Sequence, residues 1–128
     1  MQYYFEKTTN YDFDQSVEKI SEELKKEGFG ILAEIDMQKT LKEKINVDFK
    51  KYKILEACNP PFAYKSLLAE DNIGIMLPCN IVVKEKGENI VTVSVVNPVS
   101  AMQGVNNPEM NKIASEIQAK LKTALSNV

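Results

Sequence analysis

The chain contains no histidine and no tryptophan, and all sixteen of its basic residues are lysines. Without imidazole there is no Ser-His or Cys-His catalysis, no histidine metal ligand and no histidine pH switch. Without guanidinium, the planar fork that most often grips carboxylate and phosphate is missing. Only two cysteines occur, Cys58 and Cys79, too few for the four-ligand shell of a structural zinc. No apolar run approaches the roughly 20 residues of a membrane span. The start, MQYYFEKTTNYDFD, does not read as a signal peptide. Any chemistry rests on Cys, Asp, Glu, Lys, Tyr, backbone groups or a bound cofactor.

The 128 residues suit a single domain over positions 1–128, with 44% hydrophobic and 27% charged residues giving ordinary globular values. A net charge of −2 supplies no pull toward nucleic acid or an anionic membrane. The expectation is a cytoplasmic protein with reduced thiols.

Residues 2–8 alternate with aromatic content and predict a strand. Asp12 with Gln15 forms a capping-box-like pair, and Phe13, Val17, Ile20 and Leu24 recur at helical spacing up to Gly28. Gly30 to Ile35 reads as a strand, and Asp36 as the cap of a shorter helix with Met37, Leu41 and Ile45 on its apolar face. A strand over 52–57 leads into Asn59-Pro60, a helix-start signal by asparagine cap and N1 proline. That helix runs through Leu68, with Phe62, Ala63, Ser66 and Leu67 as its packing side. Residues 73–83 read as an apolar strand that Pro78 assigns to an edge or a bulge. Lys84 to Asn89 reads as a loop. Ile90 to Val96 follows as a half-buried strand, with Val91, Val93 and Val95 on one face and Thr92 and Ser94 on the other. Asn97-Pro98 ends it. After a loop, Asn107-Pro108 starts a last helix with a stripe of Met110, Ile113, Ala114, Ile117, Leu121 and Leu125. The order β-α-β-α-β-α-β-β-α predicts an α+β fold, a mainly antiparallel sheet with helices packed on it.

The chemistry-bearing residues cluster between Ala57 and Asn80. Cys58 precedes a helix start, where a thiolate is stabilised, and Cys79 sits beside a proline in an apolar segment. Both are candidates for catalytic and for metal-ligating roles. Asn59 and Asn80 are candidate ligand-binding amides. Glu34 and Asp36, two apart on a strand, form a candidate carboxylate pair, although Asp36 also suits a helix cap. Tyr64 is a candidate hydroxyl donor near the thiol or a packing residue. Three functions are open. One is a binding module for a small ligand or soft metal ion, among which two thiols cannot select copper(I), zinc or an iron–sulfur species. Another is a thiol-redox or sulfur-transfer enzyme using Cys58 and Cys79. The third is a structural dimerisation domain in which the thiols only pack.

The segments GFGILAEIDMQKTLKEK, YKILEACNPPFAYKSL and IGIMLPCNIVV resemble the domain-of-unknown-function-302 family over nearly the whole chain. The matching positions are Gly28, Phe29, Gly30, Asp36, Leu41, Cys58, Asn59, Pro60, Gly74, Leu77, Pro78, Cys79 and Asn80. The resemblance implies a layout related to the β-α-β4-α arrangement of TATA-binding-protein-like folds, self-association as a homodimer and a prokaryotic origin. This chain departs from the family pattern at Glu56, where a small glycine is common, and at Tyr64, where many relatives carry histidine. A histidine base or ligand at the latter position is excluded here.

Overall fold

The structure, a computed structural model, describes residues 2–128. Strands β1 (Tyr4–Thr8), β2 (Gly30–Asp36), β3 (Tyr52–Cys58), β4 (Cys79–Gly87) and β5 (Ile90–Val96) form one sheet in the order β1-β5-β4-β3-β2. Every neighbouring pair is antiparallel. The helices are α1 (Phe13–Lys26), α2 (Met37–Ile45), α3 (Pro60–Ala69), the single turn α4 (Pro98–Ala101) and α5 (Pro108–Ser126), with a 3-10 helix over Asp71–Met76. The α+β class and the order of the main elements agree with the sequence pattern.

Alternation along the strands decides which side of the sheet is covered. Leu55, Ala57, Ile81, Val83, Val91, Val93 and Val95 point to one face and are buried there. α1 and α5 pack against that face and each other. α1 contributes Phe13, Ile20 and Leu24, and all six residues of the α5 stripe are buried. Burying each such Leu or Ile is worth about 1.5–3 kcal/mol. Neither α1 nor α5 covers the opposite face, on which Thr92 and Ser94 are nonetheless buried. α1 carries the complete capping box, with Gln15 N donating to Asp12 Oδ1 at 2.8 Å and Asp12 N to Gln15 Oε1 at 3.2 Å. A bulge at Leu32 interrupts β2, an edge strand, and leaves Leu32 exposed.

Five local expectations are corrected. Residues 73–76, the start of the apolar run, belong to the 3-10 helix and not to a strand, because a short apolar run lacks a period that would separate the two. Ile73 is buried in the core while Ile75 is exposed. The strand starts only at Cys79, and it is central rather than an edge. Pro78, having no N–H to give the ladder, stands just outside it after a cis Leu77–Pro78 peptide. β4 also continues to Gly87, so the hairpin turn is only Glu88-Asn89, with Asn89 at φ 59°. Leu67 is exposed, and the segment after Asn97 is the turn of helix α4. No described helix is long and apolar enough to cross a membrane.

Candidate functional site

β3 ends at Cys58 and β4 begins at Cys79, and the register pairs Ala57 with Cys79. The two cysteines therefore arrive at the same end of adjacent central strands, both half-buried and both reduced. Together with Phe29, Asn59, Phe62 and Pro78 they wall a void of about 30 Å³. That is room for a water molecule or a bare ion, and for no organic ligand. Among the described residues, no group of three or more His, Cys, Asp or Glu is placed to hold a metal ion. Burial, and secondarily the charge of Cys58, pushes the Cys79 thiol up to about 11. Cys79 is therefore a neutral thiol at physiological pH.

Asn59 stands at the N-cap of α3, but its side chain makes no cap hydrogen bond. It is buried and reaches instead across the fold, donating from Nδ2 to the Glu27 carbonyl at 3.1 Å. Gly28, at φ +88°, follows that carbonyl, and a Cβ there would lie 3.1 Å from Asn59 Nδ2. Asn59 thus pins the α1–β2 turn to the β3–α3 turn. Pro60 and Pro61 fill the first two helical positions and have no N–H to offer an anion.

The other side of the Pro78-Cys79-Asn80 segment is different. Here a cleft of about 300 Å³ opens, walled by Glu56, Met76, Cys79, Asn80, Val96, Ala101 and Met102 among others. The volume lies at the lower end of the range for small-molecule sites, roughly 300–1,000 Å³. The 3-10 helix supplies one wall and α4 the other, with the sheet as the floor. Asn97 fixes α4: its Oδ1 accepts from Val99 N and Ser100 N and from Gln118 Nε2 at 2.9 Å. Met76, Ala101 and Met102 carried no sequence signal as site residues, because both walls read as other structure in the sequence.

Family and structure comparisons place this geometry. The family model for "Domain of unknown function DUF302" matches residues 5–128. The chain belongs to this family. It is similar to a solved structure described as an uncharacterized conserved DUF302 protein from Bacillus stearothermophilus, with 28% identity and a TM-score of 0.92. That match covers 99% of this chain and 98% of the other. No curated protein matches the chain. Glu56 and Tyr64, the two positions that the sequence reading set apart, fall in unlike places. Glu56, opposite Asn80 in the register, stands in the wall of the cleft. Tyr64 is 66% exposed on α3 and does not wall the void that holds the thiols.

The carboxylate pair is also resolved into separate parts. Glu34 and Asp36 do share a face of β2, opposite Leu55 and Lys53. Glu34 is exposed there, while Asp36 caps α2 by accepting from Lys39 N at 3.0 Å. Neither borders the void or the cleft.

Proposed function

We propose that the chain is a non-catalytic binding domain whose small-molecule ligand occupies the cleft against Pro78-Cys79-Asn80. The carrying observation is the contrast in volume across that segment: about 300 Å³ on the cleft side and about 30 Å³ between the cysteines. The cleft offers an apolar body, in Met76, Val96 and Met102, with the Glu56 carboxylate and the Asn80 amide at its polar side. Such a composition suits a largely apolar molecule with one or two hydrogen-bonding groups. Thiol-redox or sulfur-transfer chemistry, with Cys58 as nucleophile and Cys79 as resolving thiol, is less well supported, since a neutral Cys79 resolves a bond to Cys58 slowly.

Protein-observed NMR with a fragment set tests the proposal. Binders should perturb the Asn80 side-chain amide and the Ala101 methyl. Ala101→Leu, which fills the cleft, should remove their binding. Binders that ignore Ala101→Leu would contradict the site.

A second reading, a soft metal ion bridging the thiols, is supported by the fact that Cys58 and Cys79 wall the same void. It predicts thiolate charge-transfer bands on copper(I) titration that Cys58→Ser abolishes. Homodimerisation, cytoplasmic location and prokaryotic origin complete the proposal. For the first of these, α2 buries none of its residues, and Ile45 at its end and Val47 and Phe49 just after it are exposed, an apolar surface of the sort that self-association covers. Sedimentation of the purified chain measures it.

A further inference from the structure

The face of the sheet away from α1 and α5 carries another hollow, a cleft of about 380 Å³ walled by Tyr3, Tyr4, Tyr52, Asn80, Lys84 and Val96 among others. Strand register assembles most of it, and Tyr3 joins from just before β1. Tyr4 pairs with Val96, Tyr52 with Lys84, and Ser94 with both Glu6 and Val82. Side chains from four strands therefore stand side by side on one surface.

The aromatic part is preformed: the rings of Tyr3 and Tyr4 meet edge to face with centroids 4.9 Å apart. The cationic part is fixed too. Lys84 Nζ donates to Glu6 Oε2 at 3.1 Å, and the lysine side chain is only 21% exposed. Glu6 also accepts from Ser94 Oγ at 3.0 Å and from Lys86 Nζ at 3.4 Å. Burial alone would raise the Glu6 carboxyl, but hydrogen bonds from Lys84, Ser94 and Lys86 outweigh it and hold its pKa below the usual value. Two ammonium groups thus share one carboxylate. The cluster keeps a net positive charge, and Lys84 keeps donor protons that Glu6 does not use. Among the described residues, no group accepts from or donates to the hydroxyls of Tyr3, Tyr4 and Tyr52 or the Asn80 amide.

We propose that this face binds a flat aromatic ring bearing an anionic group, with the ring against the tyrosines and the anion on Lys84. Tyrosine rings give area at low entropic cost and favour edge or offset contacts with another ring. A half-buried, pre-positioned ammonium binds an anion better than a free surface lysine, because its ordering cost is already met. The size of the cleft suits one such molecule. A hollow of about 500 Å³ beside α2 lacks this character, since its two lysines, Lys39 and Lys42, are matched one to one by Glu43 and Asp48 and its wall is largely exposed. The inference does not rest on the cleft at Cys79, with which this face shares only Asn80 and Val96.

Two probes separate ring from charge on the full chain: anilinonaphthalene sulfonate, an aromatic anion, and phenylnaphthylamine, its uncharged counterpart. The sulfonate should bind saturably at one equivalent, with amide shifts in β3, β4 and β5. Lys84→Gln should weaken it about tenfold, the loss of one charge-assisted contact. Tyr52→Ala should weaken it about fivefold. Phenylnaphthylamine should bind more weakly and equally to the parent and Lys84→Gln. Ala101→Leu should leave both unchanged, which keeps this test separate from that of the Cys79 cleft. Circular dichroism melts of each variant check that the fold is retained. Unchanged sulfonate affinity in Lys84→Gln, or equal loss of both probes, would overturn the proposal. So would a parent that excludes the probe as a dimer and that Tyr52→Ala splits into monomers.

Discussion

The dipeptide Cys-Asn occurs twice, at Cys58-Asn59 and Cys79-Asn80, on adjacent strands, and the two copies are used in opposite ways. In the first, the asparagine is buried and spends its amide on the Glu27 carbonyl. In the second, the cysteine shares the core-facing side of β4 with Ile81 and Val83, and the asparagine is exposed over two clefts. The letters are the same and the phase of the pleat differs. One copy is a fastening between two turns. The other divides a tight apolar void from open, ligand-sized space.

The largest effect that would sharpen this contrast comes from Cys79 in alkaline solution. A thiol with pKa about 11 in the fold and near 9.0 when free keeps its proton between those values only while folded. Its contribution to stability is complete below pH 9.0 and is lost as pH rises through about 11. The loss is about 3 kcal/mol, from the two-unit span at about 1.4 kcal/mol per unit. Urea unfolding across this range should show the decline in the parent and a flatter profile in Cys79→Ala. Parallel profiles would place Cys79 in a far wetter site than its packing indicates.

Next comes Asn59. Asn59→Ala should cost about 1–2 kcal/mol, because it leaves the Glu27 carbonyl without its donor. The location of the damage is the sharper readout. Amide exchange should quicken at Gly28 and Phe29, in the turn that Asn59 holds, and not in the first turn of α3. Loss of protection in α3 instead would restore the side chain to a capping role. A coupled effect is smaller. Gly28→Ala is strained by its positive φ and by the 3.1 Å approach to Asn59 Nδ2. Removing that amide should relieve part of the strain, so Gly28→Ala and Asn59→Ala together should fall short of additivity by about 0.5 kcal/mol.

Asn59 also marks how far the sequence could be read. Asn59-Pro60 located the start of α3, as Asn107-Pro108 located that of α5, since proline at N1 is a local signal. Asn107 does cap, accepting from Glu109 N at 3.0 Å. Asn59 does not, because its partner lies 32 residues away in the chain, and no local pattern encodes such a distance. The capping box of α1 and the α5 stripe were legible for the converse reason: their partners lie within a turn or two. IGIMLPCNIVV was misread because apolar content without a period does not separate strand from 3-10 helix. The tyrosine cleft left no trace in the sequence. It exists only once β1, β5, β4 and β3 are in register, and Tyr3, Tyr4, Tyr52 and Lys84 are scattered through the chain. Cys58 and Cys79 stood out by their rarity, and the structure brings them to one void. The ligand-sized space beside them is made by Met76, Ala101 and Met102, from segments read as a strand and a loop.

The smallest stability effect belongs to the second copy of the dipeptide, and it is the one that tells fastening from site. Asn80 is exposed and holds no other described residue through its side chain. Asn80→Ala should therefore change stability by no more than about 0.5 kcal/mol, against the larger cost at Asn59. Because Asn80 borders both clefts, the same variant should still weaken fragments bound beside Ala101 and alter the amide shifts that the aromatic sulfonate produces. A side chain that is nearly silent in unfolding and audible in binding is positioned for a ligand. If Asn80→Ala instead destabilised the fold as much as Asn59→Ala, the two Cys-Asn words would share a structural role, and the contrast between them would fail.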